Sequence, residues 1–218
     1  MADREIRRKQ IITVVILAVI VILCGFRISK LITGAGQEDY RGLNLDKYIE
    51  VGDYSQLKPE VKTDDPNTLE DQIWTALLQR AEVKKYPKKQ VKAYMKENQA
   101  QYEKLASDHG YASLDAYVKK ELGVEIEEFE EQLKTYAESR VKSDLTVCAV
   151  AKKEGITISD EEYAERLEGI LKDSGLDRTG FEELFGMSLE KYAEENHMRL
   201  RFLQEKVIQV MIENTGKE

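Results

Sequence analysis

Residues 125–163 read EIEEFEEQLKTYAESRVKSDLTVCAVAKKEGITISDEEY, and this stretch decides the fold. Apolar side chains recur in it at the spacing of one face of an α-helix, namely Ile126, Phe129, Leu133, Ala137, Val141, Leu145 and Cys148. Gly155 ends the pattern, as expected of the residue just beyond a helix C-terminus. Ser159-Asp160-Glu161-Glu162 is a capping box, a signal for the start of a helix. The stretch therefore predicts a long helix over Glu125–Glu154 and a second helix that runs to about Ser174.

Helical patterns continue on both sides of this pair of helices. They predict helices over Leu69–Lys85 and Lys88–His109, a short helix from Ser113 to about Gly123, a helical turn over Phe181–Phe185 ended by Gly186, and a last helix capped by Ser188. Leu45–Tyr54 has some β character and predicts a short extended piece or a tether. About seven helical pieces and little sheet are expected, so the predicted fold class is all-α.

An apolar run lies near the amino terminus. Ile11–Phe26 carries no charge and would extend about 24 Å as a helix, which is short for a membrane span. Residues 11–33 are predicted to be a transmembrane anchor. Four basic residues precede the run and place residues 1–10 in the cytoplasm by the positive-inside rule: Arg4, Arg7, Arg8 and Lys9. Residues 34–66 are then a linker, and residues 67–218 form a helical domain outside the cytoplasm, in a single-pass protein of the cell membrane.

Two other fates of the apolar segment stay open. Cleavage after Ala35 would make the segment a signal peptide and the body a secreted protein. Cys24 follows Val21-Ile22-Leu23, which is weakly similar to a lipoprotein signal. Leu23 is, however, bulkier than the small residue that normally precedes a lipidated cysteine.

Charge is unevenly distributed along the chain, whose formal net charge is −8. Residues 1–36 carry six Lys or Arg against two Asp or Glu, and the remaining residues carry 27 against 39. An acidic body argues against a nucleic-acid partner, because phosphates require a basic surface.

No residue pattern predicts a catalytic, metal or cofactor site. Glycine-rich phosphate loops and the HExxH and GxSxG motifs are absent from the sequence. His109 and His197 lie far apart without other ligands at metal-binding spacing. Cys148 falls on an apolar helix face, where a cysteine acts as a small hydrophobe rather than as a nucleophile. Paired acids such as Glu127-Glu128 and Glu161-Glu162 are interpreted as solvated helix faces.

Several stretches of the body resemble the carboxy-terminal domain of trigger factor, a helical chaperone domain related in fold to the core of SurA-type chaperones. The resemblance extends from about Trp74 to Ile212. It is carried by AEVKKYP at 81–87, FEEQLKTYA at 129–137, VKSDL at 141–145, AVAKKEGI at 149–156 and ISDEEY at 158–163. Upstream, residues 40–43 and 45–54 resemble the lead-in to the isomerase module of some clostridial trigger-factor-like proteins.

The resemblance implies a surface that holds unfolded segments without ATP and has no catalytic residues. The interval between Tyr54 and the first helix is too short for an FKBP-type isomerase, and a membrane segment stands where that family has a ribosome-docking domain. Neither isomerase activity nor ribosome docking is therefore expected. The hypothesis is a membrane-tethered, extracytoplasmic holdase for unfolded or newly exported polypeptides. A scaffold with one specific membrane partner and, less favoured, a peptidyl-prolyl isomerase are the alternatives.

Apolar residues near helix ends form the predicted client-binding set: Trp74, Leu78, Tyr94, Tyr102, Phe181, Phe185 and Met211. The eleven tyrosines allow two interpretations: they fill the seams between helices, or some of them line an open groove that contacts client chains.

Overall fold

The computed structural model of the protein describes residue 40, residues 42–55, residue 57 and residues 66–215. Eight α-helices lie in these residues: α1 Pro66–Arg80, α2 Lys88–Asp108, α3 Leu114–Tyr117, α4 Ile126–Glu154, α5 Asp160–Ser174, α6 Arg178–Phe185, α7 Leu189–Glu195 and α8 Met198–Thr215. They are joined by a 3-10 helix over Leu45–Lys47, a π-helix over Val118–Leu122, and two strands, β1 Ile49–Val51 and β2 Ala81–Val83. The prediction of a mainly helical fold with long helices is confirmed.

The predicted anchor over residues 11–33 and the predicted tail over residues 1–10 lie outside the described residues. Among the residues that are described, none of the helices combines the length and the apolar character that a membrane span requires.

The helix boundaries follow local signals in the sequence. The Ser159 hydroxyl accepts a hydrogen bond from the Glu162 amide at 3.1 Å, as a capping residue does at the start of a helix. The long helix α4 ends at Glu154, and Gly155 adopts φ of 68°. A side chain in that left-handed conformation costs about 1–2 kcal/mol, which is why a glycine stands there.

The end of the first body helix differs from the prediction. The helix expected over Leu69–Lys85 stops at Arg80, and β2 follows it. This strand pairs with β1 in antiparallel register, with Ile49 opposite Val83. This two-stranded sheet agrees with the expectation of little sheet in an all-α fold class. A pairing partner some thirty residues earlier in the chain decides the conformation here, and helical spacing cannot indicate that.

Residues that were predicted to be linker belong to the folded body. Five apolar side chains between positions 40 and 57 are buried in the core: Tyr40, Leu45, Ile49, Tyr54 and Leu57. The first three pack with the middle of α4, and the last two pack with α1 and α8. This segment is therefore structural rather than a simple tether.

The chain divides into two compact units. The described part of the smaller unit comprises Glu97–Leu133, and its core contains Tyr102, Val118 and Phe129. The rings of Tyr102 and Phe129 meet edge to face with centroids 4.9 Å apart. The larger unit comprises, in its described part, the residues before position 97 and after position 133. Helices α2 and α4 contribute residues to both units.

Three apolar clusters form the core of the larger unit. One lies around Val141 and Leu145 of α4, and a second lies where α1 packs on α8 around Leu77 and Val207. The third joins α5, α6, α7 and the start of α8 around Phe181. Burial of such side chains is worth about 1.5–3 kcal/mol each, so these clusters supply most of the stability.

The last predicted helix is broken into two. Ser188 caps α7, but this helix ends at Glu195 and α8 begins at Met198. Between them the Asn196 side-chain amide donates to the Tyr192 carbonyl at 2.8 Å, and His197 has φ of 52°. The left-handed conformation of His197 interrupts the helix. The predicted cap at Ser188 is confirmed, whereas the break at residues 196–197 is not predicted from the sequence.

Candidate functional site

An exposed apolar surface lies at the end of α6. Leu184 is 53% exposed and is the one large hydrophobic residue classed as exposed within the described ranges. Phe185 and Met187 are half-buried. We call these three side chains the Leu184 surface. An exposed leucine is common by itself, but a leucine with two apolar neighbours is suited to contact with another chain.

Aromatic rings of the core pack against Phe185 of this surface. Phe181 is buried, and its ring lies 4.2 Å from that of Phe185 and 5.3 Å from that of Tyr192, centroid to centroid. Phe185 also contacts Tyr192 with centroids 5.2 Å apart. The rings of Phe181 and Tyr192 hold the Phe185 ring in place, and part of the Phe185 side chain stays exposed.

Ion pairs hold α6 between its neighbouring helices. The Arg178 guanidinium donates to the carboxylates of Glu190 on α7 and Glu168 on α5. These bonds raise the pKa of the Arg178 guanidinium and lower the pKa of the Glu190 carboxyl. Glu182 and Glu183 of α6 are exposed. Two exposed carboxylates therefore directly precede the apolar Leu184 surface along the chain.

Most of the residues predicted to bind clients are not exposed. Tyr94, Tyr102, Phe181 and Met211 are buried, so their side chains face the core in this conformation. The other three are half-buried, namely Trp74, Leu78 and Phe185. Trp74 packs against the cluster that contains Met211, and Phe181 stacks on Phe185. Client contact by the half-buried three stays a prediction.

Leu184 was missed by the sequence analysis. Phe181, Leu184 and Phe185 follow the same three-and-four spacing, and that spacing predicts that all of them face the core. Only part of the apolar face of the short helix α6 packs against α5 and α7. No local feature of the sequence indicates which of its apolar residues stays exposed.

A second feature that the sequence did not indicate is a buried polar cluster around Asp144 on α4. The Tyr94 hydroxyl donates to Asp144 Oδ2 at 2.6 Å, and the Tyr40 hydroxyl donates to the same oxygen at 3.0 Å. The Arg140 guanidinium lies 5.7 Å from the centre of the Tyr94 ring, and the His197 ring lies 5.4 Å from it. The cluster joins four stretches that are distant in sequence.

Burial dominates the electrostatics of this cluster. It raises the pKa of the Asp144 carboxyl, and the charge of Arg140 and the two tyrosine hydrogen bonds oppose the shift. Burial, followed by the charge of Asp144, also raises the pKa of the Tyr40 hydroxyl well above its usual range. A carboxylate that is 3% exposed and accepts two phenol hydroxyls is suited to fixing the fold.

The other residues weighed for chemistry lie in ordinary packing or surface positions. His109 contacts the Tyr117 ring at 6.0 Å, and Cys148 is half-buried against the Leu145 cluster. Glu162 forms an ion pair with Lys206 at 2.7 Å. In the described part of the chain, no three His, Cys, Asp or Glu side chains are grouped so that they could hold a metal ion.

Comparison with known proteins identifies the family. The family described as "Bacterial trigger factor protein (TF) C-terminus" matches residues 54–213. A trigger factor of Halothermothrix orenii is 36% identical over 108 residues, which cover 48% of this chain and 24% of that protein. A trigger factor of Geobacter metallireducens is 30% identical over 93 residues, which cover 43% of this chain and 21% of that protein.

The matched region thus spans about a quarter or less of the length of these relatives. No solved structure matches the chain. The family match covers well over half of the sequence and contains all the described α-helices except the last two residues of α8. On this evidence the protein belongs to the trigger factor C-terminus family.

Proposed function

We propose that this protein is a membrane-tethered chaperone that acts outside the cytoplasm, holds unfolded or newly exported polypeptides without ATP, and catalyses no reaction. The observation that carries the proposal is membership of the trigger factor C-terminus family over residues 54–213, which supports a chaperone-like function. In this proposal residues 11–33 anchor the chain and residues 1–10 lie in the cytoplasm.

The Leu184 surface is the proposed contact for clients, together with the half-buried Trp74 and Leu78 on α1. Covering an exposed leucine is worth about 1.5–3 kcal/mol, so a few such contacts give weak and reversible binding. Glu182 and Glu183, which directly precede Leu184 on α6, are exposed. The acidic body therefore favours clients whose apolar segments carry basic residues.

The holdase proposal is tested with the full chain in lipid nanodiscs. A denatured, aggregation-prone protein is diluted into stoichiometric amounts of it without nucleotide, and light scattering is followed over time. We expect the chain to suppress scattering that empty nanodiscs leave unchanged. Leu184→Asp should weaken the suppression several-fold, because it places a charge in the apolar contact. Ala164→Asp, at an exposed position on α5, adds the same charge elsewhere and should suppress scattering as the wild type does.

Two outcomes would replace this proposal. A folded chain that leaves scattering unchanged but retains one protein in stoichiometric amounts after detergent extraction would favour a membrane scaffold. Acceleration of a proline-limited refolding reaction would favour a prolyl isomerase.

The proposed orientation has its own measurement. Protease added to intact spheroplasts should remove the body and leave a membrane-bound fragment, and a body cleaved only after lysis would contradict the orientation.

A further inference from the structure

One part of the acidic body has the opposite charge. Residues 84–96 contain six lysines and no acidic residue. The rest of residues 37–218 carries 21 Lys or Arg against 39 Asp or Glu. The six lysines are Lys84, Lys85, Lys88, Lys89, Lys92 and Lys96. Lysines spread among acidic residues would be ordinary for a soluble surface. Six lysines grouped around the start of α2 without an acidic residue are not.

Three of these lysines form a line on α2. Lys88, Lys92 and Lys96 follow each other at intervals of four residues, so they lie on one face of the helix over about 12 Å. All three are exposed, whereas Val91 and Tyr94 on the opposite side are buried. We call the three residues the lysine row.

The row is not explained by the stability of the helix. No carboxylate of the described residues forms an ion pair with any of its members. Like charges four residues apart cost an isolated helix about 0.2–0.5 kcal/mol for each pair. A row of uncompensated repulsions on an otherwise acidic protein is more readily explained by an external anionic surface than by folding.

Hydrogen bonds connect this region to the segment that follows the apolar run. The Tyr48 carbonyl accepts from the amides of Lys84 at 2.8 Å and Lys85 at 3.3 Å. Lys84 also pairs with Glu50 at 2.9 Å. Tyr40 lies fourteen positions after Phe26, the end of the apolar run. A chain of that length spans at most about 50 Å, so an anchored apolar run keeps the row within reach of the bilayer.

We propose that the lysine row docks the larger unit onto anionic phospholipid headgroups of the membrane, an inference that rests on the proposed anchor. Each lysine close to an anionic bilayer is worth roughly a fivefold change in partitioning. The acidic remainder of the body is repelled by the same lipids. The body is therefore expected to turn the lysine row toward the membrane. Among the described residues the large apolar side chain that is exposed is Leu184, which lies on α6 and not on α2, so the row fits a flat charged surface better than a mixed polypeptide.

Lysine footprinting on the full chain tests the proposal. The protein is placed in nanodiscs of phosphatidylcholine alone or with about 30% phosphatidylglycerol, acetylated briefly with an N-hydroxysuccinimide ester, and digested for mass spectrometry. We expect acetylation of the row to slow several-fold in the anionic discs and to recover in high salt, because salt screens the attraction. Lys172 and Lys191, exposed on α5 and α7, should react equally in both lipids. Equal reactivity of the row in both lipids would overturn the proposal.

A charge-matched pair of variants separates the row from net charge. Co-sedimentation of the full chain with anionic vesicles should weaken on the order of 100-fold in the triple variant Lys88→Gln, Lys92→Gln, Lys96→Gln, measured as the excess over binding to neutral vesicles. The triple variant Lys120→Gln, Lys134→Gln, Lys172→Gln removes the same charge at other exposed positions and should keep the excess. Equal loss in both triples would overturn the row as a distinct surface.

The experiments distinguish a wrong anchor proposal from a wrong lysine-row proposal. A chain that does not float with neutral vesicles contradicts the anchor, and the row is then judged by its binding to anionic vesicles alone. If the row is protected by an added acidic unfolded polypeptide in neutral discs, and not by anionic lipid, then the surface serves a polypeptide and the lipid proposal is wrong.

Discussion

The Tyr40 hydroxyl donates a hydrogen bond to Oδ2 of Asp144, a residue 104 positions further along the chain, over 3.0 Å. Tyr40 is the first described residue after the apolar run, and Asp144 lies in the middle of the longest helix. The bond therefore fixes the entry of the chain into the body. The Tyr94 hydroxyl donates to the same oxygen, so α2 is joined at the same point.

Removing either hydroxyl should destabilise the larger unit. Removing one partner of a buried hydrogen bond leaves the other unsatisfied and costs about 1–3 kcal/mol, so Tyr40→Phe and Tyr94→Phe should each lower the free energy of unfolding by about that amount. Urea denaturation followed by circular dichroism measures it. Tyr192→Phe is the matched control, because among the described residues no hydrogen bond involves its hydroxyl, and its effect should be small. Equal losses in all three variants would contradict the role of Asp144.

The pH dependence of stability should reveal Asp144. Burial raises the pKa of its carboxyl above the usual value of about 3.9. The native state then holds this proton to higher pH than the unfolded state does. The contribution of Asp144 is fully present below about pH 4 and is lost as the pH rises through the native pKa.

The measurement compares wild type with Asp144→Asn, which cannot titrate. The difference in unfolding free energy, wild type minus variant, should fall as the pH rises above about 4. Asp53→Asn is the control, because hydrogen bonds from Ser55 lower the pKa of Asp53, so its contribution is constant above about pH 4 and is lost only at lower pH. A difference for Asp144 that rises with pH would contradict the assignment.

One substitution should have opposite effects at two glycines of neighbouring helices. Gly155 has φ of 68°, so Gly155→Ala forces a side chain into the left-handed region and should destabilise by about 1–2 kcal/mol. Gly169 lies inside α5, with no heavy atom within 4 Å of where a Cβ would stand. Gly169→Ala should stabilise by about 0.5–1 kcal/mol, since alanine favours helix over glycine. Thermal unfolding measures the change in stability of each variant: Gly155→Ala should unfold at a lower temperature and Gly169→Ala at a higher one. A change in the same direction for both would show that local backbone conformation does not control their stability.

The caps predicted from sequence should be measurable as well. Ser159→Ala removes the acceptor for the Glu162 amide at the start of α5 and should cost about 1 kcal/mol. Ser139→Ala, at an exposed site inside α4, should be neutral or slightly stabilising because alanine is the better helix former. If the two serines behave alike in urea denaturation, the cap does not contribute to stability.

Local signals account for what the sequence determined. Helical spacing, the Ser159 and Ser188 caps, and the glycines at 155, 175 and 186 placed most helix ends, because each signal acts within a few residues and needs no distant partner. The same patterns, together with the quoted trigger factor-like stretches, were enough to indicate the family.

Tertiary structure decided the rest. Ala81–Val83 is a strand because Ile49–Val51 pairs with it, and Asp144 is buried because two distant tyrosines donate to it. Leu184 is exposed because its short helix covers only part of an apolar face. The spacing of the lysine row can be seen in the sequence, but the hydrogen bonds that join Lys84 and Lys85, just before the row, to Tyr48 depend on the fold. In each case the outcome depends on a contact between residues distant in sequence, and spacing along one chain does not encode which distant residues meet.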